Sequence, residues 1–402
     1  MEQMQFTAVV LLTLLLMKLL MLPNKVVITP VAGKARWLMT VGIALLVFQF
    51  LLQYTLGLRS MGVTQSVLVN LLLFIPSSWT LSMAVIYLQR HGYISRVDKL
   101  IGAFTWGLAI VLLGTATIVD GQPLLSDTPK LHYAEVITSF FYLTMQGYYA
   151  WRHGVNLRSM RLSLQNYYDH DMDGMLMWMK FSIIILVVFA LMVPFLIFVE
   201  SQWLAVYGVL FFFGISYLVD SFCSYMVSSA PKKIREAELS EDVITKDERK
   251  KNMATSATKG RMDKNSPDTE LQTEDMAKEH SRCSSVADEV DPGASLSAAH
   301  SALIQKWIEK GGYRRNGITM PIAAEEIGVP RYFLTVWLRK NNFTYTAWIT
   351  TLRIEEAKRV MKEHPKWTNE AVAQYCGFSD RSYFQKKFKE QIGVSPSEYQ
   401  LS

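Results

Sequence analysis

Three groups of residues in this sequence have types and spacing suited to chemistry. The first is a polar helical face. Arg381, Ser382, Gln385, Lys386 and Lys389 fall opposite Phe378, Phe384 and Phe388, which recur as the buried stripe of an amphipathic helix. Arg and Lys suit guanine O6 and N7, and Gln suits adenine N6 and N7, so such a face can read base edges in a major groove. The second group is Asp169-His170-Asp171-Met172-Asp173, which has metal-binding side chains. It lacks the Gly and distal Glu of a calcium loop, so it is expected to be an acidic surface loop. The third is Lys18 and Asp220, which sit at comparable depth inside apolar stretches and form a candidate intramembrane pair. Snorkelling of Lys18 to the interface is the alternative for that residue.

Other catalytic chemistry finds no support. There is no H-E-x-x-H, no G-x-S-x-G and no phosphate-cradling glycine loop. Cys223, Cys283 and Cys376 are far apart and odd in number, so neither a disulfide framework nor a zinc site is expected. The sequence predicts no enzyme, no cofactor and no metal centre.

The polar face belongs to a repeated unit. Residues 322–334 pattern as a helix, a turn at Gly328 and a second helix; residues 371–384 repeat this with the turn at Gly377. Ala323, Ala324 and Ala373 allow close helix packing at matching places. Two helix-turn-helix units in tandem are a more specific signal than one.

The elements ahead of this repeat differ in kind. The chain has 402 residues and a net charge of +6, which divides as +3 over residues 1–230, −3 over 231–296 and +6 over 297–402. Half the residues are apolar and only 19% are charged, against about 25% in soluble domains. The excess lies in the first 230 residues and excludes a single soluble globule. Seven apolar stretches there are expected to be long enough to span a bilayer, which needs ~20 residues of helix: Phe6–Leu22, Trp37–Leu58, Val63–Leu88, Leu100–Val119, Leu131–Trp151, Trp178–Val199 and Trp203–Val227. The first lacks a positive n-region and a cleavage site, so it is expected to be a retained helix. Lys25, Lys34, Arg36, Arg90, Arg96, Lys99, Arg152, Arg158, Arg161, Lys232, Lys233 and Arg235 fall in alternate loops and after the last stretch. The positive-inside rule then puts the N-terminus outside and the C-terminus in the cytoplasm. Glu135 and Glu200 lie near the outer surface and are expected to be solvated; Pro76 and Pro194 are candidate helix kinks. Residues 231–296 are polar and without aromatics, which predicts a disordered tether with a reach of roughly 45 Å. Its opening stretch, Pro231 to Glu248, can continue the last helix.

The second helix-turn-helix carries a signature. Leu352-Arg353-Ile354-Glu355-Glu356-Ala357, Gly377-Phe378-Ser379-Asp380-x-Ser382-Tyr383-Phe384-x-x-x-Phe388-Lys389 and Gly393-Val394-Ser395-Pro396-Ser397-Glu398-Tyr399 resemble the AraC/XylS family of bacterial transcription regulators over about residues 300–400. The resemblance implies two helix-turn-helix subdomains joined by a long helix, about Thr346–His364, with recognition helices in successive major grooves of one DNA face. By position in the family's motif, Arg381, Ser382, Gln385 and Lys386 are expected to read bases. Lys387, Lys389, Arg339 and Lys340 are expected at phosphates, which position without specifying sequence. The first copy departs from the family. Tyr332, Thr335 and Val336 are expected on its reading face, with Arg331 alongside at the backbone, and favour thymine-methyl and shape contacts. The family's usual soluble β-barrel sensor has no counterpart; the seven apolar stretches stand in its place.

The expected protein is all-α: a seven-helix transmembrane bundle (1–230), a linker (231–296) and a double helix-turn-helix DNA-binding domain (297–402). It would act as a one-component regulator in a bacterial inner membrane, multi-pass, with the DNA-binding domain in the cytoplasm. The expected partners are promoter DNA and the lipid bilayer, with RNA polymerase, an unidentified signal ligand and a second copy of the chain as further candidates. Two other readings stay open: a transporter or intramembrane enzyme fused to a regulatory domain, and a passive anchor that releases the DNA-binding domain by proteolysis in the linker.

Overall fold

The computed structural model describes residues 2–22, 30–57, 63–119, 128–192, 201–228, 230, 232–240 and 292–401. Among these residues the protein is all-helical, without strands. It forms two compact units, Met1–Leu162 with Met172–Glu236, and Ser163–Asp171 with Ala237–Ser402.

The first unit contains α1 (Glu2–Met21), α2 (Pro30–Thr55), α3 (Val63–Gln89), α4 (Arg96–Val119), most of α5 (Pro129–Tyr167), α6 (Met177–Met192) and α7 (Ser201–Val227). Four helices among the described residues are long and apolar enough to cross a membrane: Val31–Thr55, Val67–Gln89, Arg96–Val119 and Val206–Val227. The apolar part of α1, Gln5–Met21, is shorter. α5 has length but carries many polar groups, and 16 residues of α6 are described. The remainder of the sixth expected span, with Pro194 and Glu200, lies outside the described residues.

Small residues let these helices approach, as they do between helices in lipid. A Cβ on Gly102 would stand 2.3 Å from the Trp79 ring, and one on Gly42 2.7 Å from Leu81. Ser77 Oγ donates to the Gly42 carbonyl at 2.8 Å. Pro76 sits inside α3, where Thr80 Oγ1 donates to its carbonyl oxygen at 2.9 Å. A capping box opens α4: Ser95 N–H donates to Asp98 Oδ2 and Asp98 N–H to Ser95 Oγ, each at 3.1 Å.

Charged residues of this unit depart from expectation. Glu135 is fully buried, 3.8 Å from His132 Nδ1, rather than solvated. Asp98 is also fully buried; Tyr148 Oη donates to it at 2.7 Å, and Arg152 and Arg90 lie 3.4 and 3.7 Å away. Arg90, in the turn after α3, and Arg152, expected in a loop but lying within α5, thus converge on a helix start that the charge count alone does not single out. Lys18 of α1 and Asp220 of α7 form an ion pair.

The second unit contains α8 (Pro292–Glu309), α9 (Met320–Ile327), α10 (Arg331–Lys340), α11 (Tyr345–Glu363), α12 (Asn369–Tyr375), α13 (Arg381–Ile392) and α14 (Pro396–Leu401). α8 begins at Pro292, ahead of the expected boundary at 297. Residues 232–240 are helical, and the rest of the expected linker up to 291 lies outside the described residues. The core has two clusters. Trp307, Tyr345, Trp348 and Leu334 build one around the first helix-turn-helix, and Phe378, Phe384, Phe388 and Ile354 build the other around the second.

Candidate nucleic-acid interface

The two helix-turn-helix units are built alike. Val329 N–H donates to the Ala324 carbonyl at 3.0 Å, and Phe378 N–H to the Ala373 carbonyl at 2.9 Å. Both are the wide bond that closes a Schellman C-cap, with Gly328 at φ +80° and Gly377 at φ +88° in the left-handed region. Gly377 is needed twice over, because a Cβ there would stand 2.2 Å from the Arg314 carbonyl oxygen.

α13 starts on Asp380, whose carboxylate accepts from Tyr383 N–H at 2.7 Å. Its apolar stripe is fixed by ring contacts, Phe378 to Phe384 at 5.0 Å and Phe384 to Phe388 at 5.6 Å. With that side buried, Arg381, Ser382, Lys386 and Lys389 are exposed and Gln385 is half-buried. Lys387 is half-buried instead, 2.8 Å from Glu390 and 4.0 Å from Asp171. A phosphate must therefore compete with two carboxylates for this ammonium.

On α10, Arg331, Val336, Arg339 and Lys340 are exposed and Tyr332 is half-buried. Thr335 departs from the expected reading face: it is 8% exposed, and its hydroxyl donates back to the Arg331 carbonyl at 3.1 Å. The helix packs Leu334 and Leu338 into the core, and Thr335 falls on the edge of that buried side.

α11 joins the two units. Thr344 caps it, accepting from Ala347 N–H at 3.3 Å. At its middle Arg353 is 1% exposed. Arg353 Nε donates to the Tyr313 carbonyl at 2.9 Å, and Nη2 donates to the Arg315 carbonyl at 2.9 Å and to Asp169 Oδ2 at 2.7 Å. Its guanidinium carbon also lies 5.9 Å from the Phe378 ring centre, so one side chain ties α11 to both core clusters. One turn on, Glu356 receives Arg314 at 2.6 Å and Arg359 at 2.7 Å. Hydrogen bonds from Arg359, working against partial desolvation, hold the Glu356 carboxyl below its ordinary range.

Asp169 corrects another expectation. The acidic run is not simply a surface loop, because Asp169 is 1% exposed inside the second unit. Gly317 N–H donates to Asp169 Oδ2 at 2.9 Å, and His170 Nδ1 lies 2.8 Å from Oδ1. Burial alone would raise the Asp169 carboxyl, but His170 and Arg353 outweigh it and hold the group below its ordinary range. Neighbours in the segment Ser163–Asp171 attach similarly. Thr346 Oγ1 donates towards the carbonyls of Gln165 and Tyr168, at 3.0 and 2.6 Å, and Asp171 N–H donates to Tyr383 Oη at 3.1 Å. This segment therefore holds both the joining helix α11 and α13, the second helix of the second helix-turn-helix. Arg353 stands in the signature quoted above, but nothing local in the sequence names its partner.

Among the described residues no cluster of His, Cys, Asp or Glu could hold a metal ion. Cys376 is buried, and burial pushes its thiol up to about 12.

Residues 323–402 match a family model described as a helix-turn-helix domain. Over 70 residues the chain is 30% identical to the Regulatory protein PocR of Salmonella typhimurium (strain LT2), which covers 17% of this chain and 23% of that protein. The chain thus spans under a quarter of the length of this curated relative. No solved structure matches. The C-terminal part of the chain is a helix-turn-helix domain.

Proposed function

We propose that this protein is a membrane-tethered, one-component transcription regulator of the AraC/XylS type. The observation that carries the reading is the pair of like-built helix-turn-helix units on one rigid helix, the second presenting Arg381, Ser382, Gln385 and Lys386 outward. Spaced by α11, α10 and α13 enter successive major grooves. α13 supplies most of the base recognition, through bidentate contacts of Arg381 or Lys386 with guanine and Gln385 with adenine. α10 contributes Tyr332 and Val336 by shape, with Arg331, Arg339, Lys340 and Lys389 on phosphates. The +6 charge of residues 297–402 suits that backbone contact, which supplies much of the affinity and makes it salt-dependent.

On this reading the protein sits in the bacterial inner membrane through its apolar N-terminal helices, which act as its sensor, with the C-terminal domain in the cytoplasm; the four helices long and apolar enough to cross a membrane support it. α5 supports a direct signal route. Its 39 residues extend about 58 Å at 1.5 Å per residue, well beyond a ~30 Å hydrocarbon core. Its last residues and the turn after them, Ser163–Asp171, bond to α11 and α13. A shift of α5 then reaches the recognition helix without passing through residues 241–291.

The test is crosslinked, genome-wide DNA capture with the tagged full-length protein recovered from membranes. Discrete promoter peaks on the intact chain support the reading. Peaks only on a soluble fragment would make the N-terminal helices a releasable anchor, and no peaks in either fraction would overturn DNA regulation altogether.

A further inference from the structure

The first unit holds a half-open cavity of about 120 Å³ between α3, α5 and α6. Leu143, Leu186 and Val187 make much of its apolar wall, and Ser82, Gln146, Tyr149 and His153 are its polar members, the Tyr149 hydroxyl already donating to the Asp98 carbonyl at 2.8 Å. Ser82 and His153 are each 1% exposed. The His153 ring has a defined tautomer. Its Nδ1 lies 3.0 Å from Gln89 Oε1, which also accepts from Asn156 Nδ2 at 3.3 Å. An amide oxygen only accepts, so Nδ1 carries the proton and Nε2 is left as an acceptor. His153 Nε2 and Ser82 Oγ are both buried without a hydrogen-bond partner among the described residues. Buried polar atoms are normally satisfied, and two left open on one small cavity call for a partner inside it.

Size and lining restrict that partner. A dry cavity of ~150 Å³ takes benzene, so this one, open on one side, takes a molecule of about benzene's size. A charged group would lose its hydration with no counter-ion in the wall. We infer that the cavity is a binding site for a small neutral molecule, apolar apart from one hydroxyl, which donates to His153 Nε2 and lies beside Ser82 Oγ. This deepens the sensor reading above and rests on it for the ligand's effect on transcription, though not for binding itself. α5 lines the cavity at Gln146 and His153 and also ends in the segment that bonds to α11, so an occupant sits on the helix that would carry the signal.

The experiment uses the full-length protein in phosphatidylcholine–phosphatidylglycerol nanodiscs, with phenol as probe and toluene as its match without the hydroxyl. Saturable binding is read by saturation-transfer NMR, and phenol-dependent promoter activity is read separately in cells. Phenol should bind roughly threefold to tenfold tighter than toluene, the worth of one net hydrogen bond. His153→Phe and Ser82→Ala should erode that preference while toluene still binds. Gly147 lines the cavity, and a Cβ there meets nothing within 4 Å. Gly147→Leu should therefore fill the space and abolish binding of both probes. Gly107 is equally open and lies outside the cavity lining, so Gly107→Leu should leave both unchanged. Equal signals in the wild type, His153→Phe and Gly147→Leu would mean partition into lipid, and no saturable signal would mean a cavity filled by water; either overturns the site. Saturable binding with promoter activity unmoved would keep the site and overturn the sensor reading instead.

Discussion

Substituting Asp169 by Ala removes one partner of a buried ion pair and leaves the Arg353 guanidinium, 1% exposed, without its counter-charge. Such a loss costs about 3–5 kcal/mol when the remaining charge stays buried. Arg353 keeps two backbone acceptors, the carbonyls of Tyr313 and Arg315, which puts the expected cost near the low end, about 3 kcal/mol. At about 1.4 kcal/mol per factor of ten, that is roughly a hundredfold shift towards the opened segment. Asp171 N–H, in the same segment, donates to Tyr383 Oη, a partner the substitution leaves in place, so its exchange with deuterium reports the opening. Hydrogen exchange on the full-length protein should show that amide opening about a hundredfold more often in Asp169→Ala. Thr346→Val, which deletes the hydroxyl reaching Gln165 and Tyr168, should give a smaller effect of about 1 kcal/mol. The Asp169/Arg353 double-mutant cycle should show strong coupling. The pH dependence has a defined sign. The Asp169 carboxyl is depressed in the folded protein, so its contribution is present above the unfolded value of about 3.9 and fades as pH falls through the lower folded value. The gap between wild type and Asp169→Asn should therefore close only in acid. Unchanged exchange at Asp171 in Asp169→Ala, or a cycle with no coupling, would refute the attachment of this segment and with it the signal route through α5.

The reading face has a direct test. Arg381→Ala or Lys386→Ala should relax preference at one base pair by roughly 1–3 kcal/mol, while Lys389→Ala should weaken all sequences alike and lower the salt slope by about one; binding titrations on a panel of operator variants distinguish the two. Gly377→Ala should destabilise the second helix-turn-helix by more than the ~1–3 kcal/mol of a strained backbone, because its Cβ also meets the Arg314 carbonyl; thermal melting and loss of operator binding check this. Cys376 should resist iodoacetamide in the native protein and react on unfolding, as peptide mapping by mass spectrometry would show, because its thiol is buried and raised to about 12.

Features that depend on neighbours within a turn or two were legible in the sequence. Gly328 and Gly377 mark their turns because only a residue without a Cβ enters the left-handed region freely. The Phe378, Phe384 and Phe388 stripe announced its buried side through helical period alone, and the polar residues opposite followed from it. The apolar runs of the first half were equally plain as helices. Their ends were less so, because α5 continues past the apolar part to Tyr167 on residues that are polar in sequence. Thr335 shows the limit of a period: at the edge of a stripe, one residue is buried or exposed according to how far the helix is rotated against its core.

Tertiary structure alone decided which charges meet. Asp169 and Arg353 are 184 positions apart, and neither carries a local pattern that names the other. Asp98 drew Arg90 from the turn after α3 and Arg152 from within α5, and Glu135 went inside although its position along the helix put it near a surface. The cause is physical: hydrophobic periodicity is a property of one helix, whereas a buried charge is tolerable only where the packing of several helices delivers its partner. The sequence by itself determined the helices, the repeated turns and the side of α13 turned outward. The packed structure decided which residues hold α13 in place.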